Sequence, residues 1–174
     1  MRTGNGETRP VEPGATLHGL AGKYLTFVLA DCEYGVPVRK VREIVKLAPI
    51  TAVPQVASWV KGVINLRGKV IPVIDLRLKF SLPAVEYMER TCIIVVEVVM
   101  RESTVLMGII VDSVSDVMSI AADELEETPR FGSGASSPYV DGLAKIKGAV
   151  KILLNLDHVC GADTEIGALL PTAA

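Results

Sequence analysis

Few side chains in this 174-residue chain could carry chemistry. They are the carboxylates Glu43, Asp75 and Asp112, the arginine inside GVINLRGKVIPVIDLR (62–77), and a few thiols and imidazoles. Carboxylates could act as acid and base in hydrolysis, and a guanidinium is a planar fork of donors suited to an acidic partner. Hydrolysis is poorly supplied, because His18 and His158 each stand without a second histidine nearby. The cysteines Cys32, Cys92 and Cys160 are far apart and lack any CxxC spacing, so neither a metal centre nor a disulfide framework is expected. Nothing matches GxSxG, HExxH, a P-loop or GxGxxG after a strand, so no catalytic residue and no cofactor is expected. Arg67 reads equally well as the tip of a hairpin and as a recognition residue. Asp75, opening IDLRLKF, reads first as the N-cap of a short helix, and Glu43 as a charge on a strand edge.

Composition narrows the partners. Formal charge is −2 with a pI near 5.7, the two signs are interspersed, and aromatic residues make up 5%. A barrel that stacks single-stranded nucleic acid needs a basic groove and aromatic platforms, and neither is supplied. The apolar share of 49% and mean hydropathy of +0.40 are ample for a core. The longest apolar run, Cys92 to Met100, is interrupted by Glu97 and falls well short of the roughly 20 residues of a membrane span. It reads as a buried strand. MRTGNGETRPVEPG has no apolar stretch of the kind a secretion signal needs, so residues 1–22 are expected to form a mobile arm and the protein to stay in the cytoplasm. The final 161–174 are expected to be a tail.

Short Val- and Ile-rich segments bounded by Gly, Pro, Asn and Asp must position these residues. Strands are predicted at 23–29, 34–38, 43–50, 60–66, 69–75, 92–100, 104–111, 117–120, 140–146 and 149–156, which makes the chain all-β. It also repeats itself. VKGVINLRGKVIPVIDL at 60–76 aligns without gaps on VDGLAKIKGAVKILLNL at 140–156, an offset of 80. GVPVRKVREIVKL at 35–47 matches GIIVDSVSDVMSI at 108–120, an offset of 73. Two ordered blocks recurring at this distance imply a duplicated unit of some five strands. The seven additional residues fall before Val140 and are accommodated by the Gly/Ser-rich loop RFGSGASSP at 130–138. Five strands with open edges invite edge pairing, so each half is expected to curl into a small barrel whose strands pair mainly within that half, with an apolar seam and a groove between the two. In each half a Gly, Gly68 or Gly148, is expected to turn the hairpin with positive φ. Lys147 replaces Arg67 in the second half, Asn155 replaces Asp75 and Asp116 replaces Glu43.

YLTFVLADCEYGVPVRKVREIV, WVKGVINLRGKVIPVIDLRLKF and MGIIVDSVSDVMSI closely resemble the CheW family of bacterial chemotaxis coupling proteins, from about Lys23 to Cys160. The stretch NLRGxxxPxxDLR at 65–77 is the most specific part of the match. The resemblance implies two pseudo-symmetric five-stranded SH3-like β-barrels packed together within 23–160. It implies an adaptor without enzymatic activity, joining the cytoplasmic tip of chemoreceptors to the CheW-like regulatory domain of the histidine kinase CheA. That would recruit it to membrane-associated receptor arrays without inserting it in the membrane. Glu43, Asn65, Arg67 and Gly68 carry over by motif match as partner-binding positions. The sequence departs from the family at Ala57, where a second proline is common, which implies a looser approach to the strand at 60–66. The rival readings are a small hydrolytic enzyme using Asp75, Asp112 or Glu43, and a nucleic-acid-binding barrel.

Overall fold

The computed structural model describes residues 19–128 and 137–161. Its strands are β1 (Gly22–Leu29), β2 (Cys32–Pro37), β3 (Val41–Lys46), β4 (Val60–Leu66), β5 (Lys69–Asp75), β6 (Cys92–Met100), β7 (Ser103–Val111), β8 (Ser113–Ile120), the two-residue β9 (Leu125–Glu126), β10 (Val140–Ile146) and β11 (Ala149–Leu154). Two short helices, α1 (Leu76–Lys79) and α2 (Leu156–Gly161), follow β5 and β11. The expected loop at 130–138 lies outside the described residues except for Ser137 and Pro138, and so does most of the expected arm and tail.

All ten predicted strands are present, and the two-residue β9 is added to them. The third ends at Lys46 and not at Ile50, since Pro49 has no N–H to give a ladder. The last ends at Leu154, because Asn155 turns the chain into α2 by accepting a hydrogen bond from His158 N at 3.1 Å. Asp75, its counterpart, accepts from Arg77 N (2.9 Å) and Leu78 N (3.4 Å) at the start of α1. The cap expected at Asp75 is therefore real, and the duplication extends it to Asn155.

The strands form two sheets, ordered β8-β1-β2-β11-β10-β9 and β3-β6-β7-β5-β4. This corrects the expectation that each half pairs with itself. The halves run β1–β5 and β6–β11, yet hairpin β1–β2 docks between β8 and β11 of the second half, while β6–β7 docks between β3 and β5 of the first. The unit was duplicated and the two copies exchange their leading hairpins. Two barrels result, here called the terminal barrel (β1, β2, β8–β11) and the central barrel (β3–β7). In the central barrel Thr51 bridges to Val63 through two backbone hydrogen bonds of 2.9 Å. In the terminal barrel β9 does the same work against β10.

Three apolar clusters follow from this exchange. The central barrel encloses Ile64, Ile71, Val73, Ile93, Val95 and Ile110, and the terminal barrel Tyr24, Ile120, Leu125, Ala144 and Leu153. The largest cluster is the seam, where Leu25, Phe27, Val36 and Leu154 of the terminal barrel meet Ile74, Ile94, Val96 and Ile109 of the central one. Ile93 and Val95 point into the central barrel while Ile94 and Val96 point into the seam, so β6 is buried on both faces. That accounts for its nearly unbroken apolar run. Phe27, Tyr34, Phe80 and Tyr139 form a file of rings along the seam with centroids 5.8, 5.9 and 5.8 Å apart.

Candidate functional site

The hairpin β4–β5 has a two-residue turn, and both residues have positive φ, 53° at Arg67 and 84° at Gly68. This is the geometry that matches the twist of two antiparallel strands. Lys147 and Gly148 repeat it at 50° and 80°. Asn65 reinforces the first turn by accepting a hydrogen bond from Gly68 N at 2.9 Å through Oδ1. Three of the four residues singled out from sequence thus build one turn. The fourth, Glu43 on β3, joins them across the barrel end.

Arg67 donates to Glu43 in fork geometry, Nη1 to Oε1 and Nη2 to Oε2, each at 3.1 Å. The arginine side chain is 78% exposed and the glutamate 24%. At that exposure the pair is screened and adds little to stability. A second pair, Arg42 with Glu97, stands beside it and was not foreseen. Its only trace in sequence is the single charge that interrupts the apolar run of β6.

The two pairs rim a groove of about 540 Å³ at the mouth of the central barrel, with a floor formed by Leu66, Ile71, Val95 and Leu106. Ile71 and Val95 belong to the barrel's own core, so the groove is the open end of that core. Charges fixed around an apolar floor can hold a side chain or a helix end of a partner and orient it. No reaction follows from this arrangement.

The other carboxylates are engaged elsewhere. Asp75, 5% exposed, caps α1 and accepts from Tyr87 Oη at 2.8 Å. Burial, then the hydrogen bond to Asp75, pushes the Tyr87 phenol upward. Asp112 accepts from Arg77 Nε (2.8 Å) and Nη2 (2.6 Å) and from Ala30 N (3.0 Å). The Arg77 hydrogen bonds hold the Asp112 carboxyl below its ordinary range against an opposing effect of burial. This network ties the β1–β2 turn to α1, one element from each barrel. Burial raises the thiols of Cys92 and Cys160, the latter to about 12. Among the described residues no group of three His, Cys, Asp or Glu side chains could hold a metal ion, and no helix is long and apolar enough to cross a membrane. Val60 N donates to Ala57 O at 3.0 Å, so the turn before β4 is closed where the second proline is missing.

Residues 23–163 match the family model described as a CheW-like domain. A chemotaxis protein CheW of Klebsiella aerogenes is 35% identical over 154 residues, covering 86% of this chain and 90% of that protein. One of Bacillus subtilis is 38% identical over 147 residues, covering 84% and 92%. Among solved structures, the scaffolding protein TtCheW from Thermoanaerobacter tengcongensis superposes with a TM-score of 0.71 at 33% identity, covering 81% of this chain and 93% of that one.

Proposed function

This chain belongs to the CheW-like family and is a chemotaxis coupling adaptor, and from that premise we propose that it joins the cytoplasmic tip of chemoreceptors to the regulatory domain of the histidine kinase CheA, catalysing nothing itself. The observation that carries the reading is the Arg67–Glu43 fork, held out at a hairpin tip over an apolar-floored mouth. The two charges satisfy one another in the free protein, and either can be re-paired by a partner at small cost because the pair is exposed. Asn65 and Gly68 hold the turn that presents it. A receptor's helical hairpin offers a suitable counterpart, an apolar stripe flanked by charge.

Pairing with the kinase domain is supported by a second regularity. The exposed apolar residues Ile44 and Val70 of the central barrel, 45% and 55% accessible, have counterparts at Val117 and Val150 of the terminal barrel, 51% and 53% accessible. Both barrels therefore offer the same apolar spots to a CheW-like partner. In this reading residues 23–160 are the coupling unit, residues 1–22 an arm and 161–174 a tail. The protein works in the cytoplasm at membrane-associated receptor arrays and does not insert in the membrane. Absence of catalysis is supported by the engagement of Glu43, Asp75 and Asp112, each with its own partner.

The test is Arg67→Ala beside Lys147→Ala, its counterpart in the second hairpin. Both should leave stability within roughly 0.5 kcal/mol of the parent, as exposed residues do. Only Arg67→Ala should weaken binding to a receptor signalling fragment. An unfolded Arg67→Ala protein, or one that binds as the parent does, contradicts the assignment.

A further inference from the structure

The exchange of hairpins poses a problem of choice. β1–β2 and β6–β7 are copies of one another, and each docks in parallel on the last strand of a barrel with the same register. Leu153 lies opposite Gly35 in the terminal barrel, and Val73 lies opposite Gly108 in the central one. The two glycines are equivalent under the repeat, and at each an added Cβ would press on the strand it docks against, standing 3.0 Å from Leu153 Cδ2 at Gly35 and 3.2 Å from Val73 Cγ2 at Gly108. Backbone shape at the joint therefore does not tell one hairpin from the other.

Two residues further out the copies differ in kind. In the terminal barrel Lys151 is paired with Glu33, and the two side chains make a hydrogen-bonded ion pair in which the lysine side chain is 8% exposed and the glutamate 35%. The same positions in the central barrel hold Ile71 and Leu106, both on the floor of the mouth described above. We propose that the Glu33–Lys151 ion pair is the address that sends hairpin β1–β2 to the terminal barrel, selecting the interlinked pairing over one in which each half closes on itself. Self-closure would set Glu33 against Ile71 and Lys151 against Leu106. Lys151, 8% exposed, would then lose the carboxylate it is paired with and face Leu106 in its place, which is costly because the buried ammonium is left uncompensated. The correct pairing meets like with like at both joints. A pair with one partner buried and the other partly exposed adds little net stability over an apolar pair, so its effect is on which structure forms.

The experiment gives the terminal barrel the central barrel's own pair. Glu33→Leu with Lys151→Ile should refold from urea with a midpoint no lower than the parent's. It should also show a second set of amide cross-peaks, or strand-exchanged oligomers on gel filtration, about tenfold or more above the parent's level once the mismatch is removed. Glu33→Leu alone, which leaves Lys151 buried and unpaired, should lower the midpoint. The reversed pair, Glu33→Lys with Lys151→Glu, should return a single conformer. A double apolar variant that refolds to one conformer with the parent's β2–β11 contacts overturns the proposal. So does one that fails to fold, since the pair would then hold the barrel together and not select its hairpin.

Discussion

Alanine at Gly62 and alanine at Gly68 are the same chemical change six residues apart in one hairpin, yet the structure sets very different costs for them. Gly68 has φ +84° and nothing within 4 Å of where a Cβ would stand. Only the backbone preference is lost there, about 1 kcal/mol. Gly62 has φ +139°, and its Cβ would lie 1.9 Å from Thr51 O and 2.7 Å from Thr51 C. Those atoms are backbone and belong to the bridge that closes the central barrel, in which Thr51 and Val63 exchange two hydrogen bonds of 2.9 Å. Room for the methyl group is found only by pushing Thr51 away. The strained φ costs roughly 1–3 kcal/mol, and losing the bridge costs roughly 0.5–1.5 kcal/mol per hydrogen bond. Gly62→Ala should therefore destabilise by about 3 kcal/mol or more, against about 1 for Gly68→Ala. Urea unfolding of the two variants beside the parent measures this directly. If Gly62→Ala falls within about 1 kcal/mol of Gly68→Ala, the Thr51 bridge does not close the barrel as described.

Two further outcomes follow from the tie between barrels and from the cysteines. The folded Asp112 carboxyl titrates below its ordinary value of 3.8, so it contributes stability that is complete above that pH and is lost as pH falls through the lower folded value. Asp112→Asn should cost about 1.5–3 kcal/mol at neutral pH and flatten the acid limb of the stability curve below pH 3.8, while an unchanged acid limb would mean that other carboxylates govern it. In a thiol-titration time course Cys32, exposed on β2, should react at once, and buried Cys160, its thiol raised to about 12, only as the protein unfolds. Rapid reaction of Cys160 in the native protein would mean that the seam opens.

Local chemistry and the repeat were legible in the sequence. The Gly68 and Gly148 turns, the cap at Asp75 and the burial of β6 each depend on a few neighbouring residues, and short-range rules reach that far. Which hairpin enters which barrel does not depend on neighbours. The duplication made self-pairing the natural expectation, and the signal against it was two unlike pairs at equivalent positions, Glu33 with Lys151 and Leu106 with Ile71. They become readable only once the parallel partners of β2 and β7 are known. The helix α2 was legible in principle, because Asn155 stands where Asp75 stands. At the mouth of the central barrel, Glu43, Asn65, Arg67 and Gly68 are brought together as one cluster, whereas the Arg42–Glu97 pair joins strands 55 residues apart and left no local pattern.

The central claim is that this chain couples a receptor to a kinase and does so at the Arg67–Glu43 rim. The most direct measurement is the rate of kinase autophosphorylation with receptor signalling fragments, with this protein, and with both. The rate should change strongly only when all three components are present, and Arg67→Ala, folded and stable, should abolish most of that change. Full coupling by receptor and kinase without this protein, or undiminished coupling by Arg67→Ala, would contradict it.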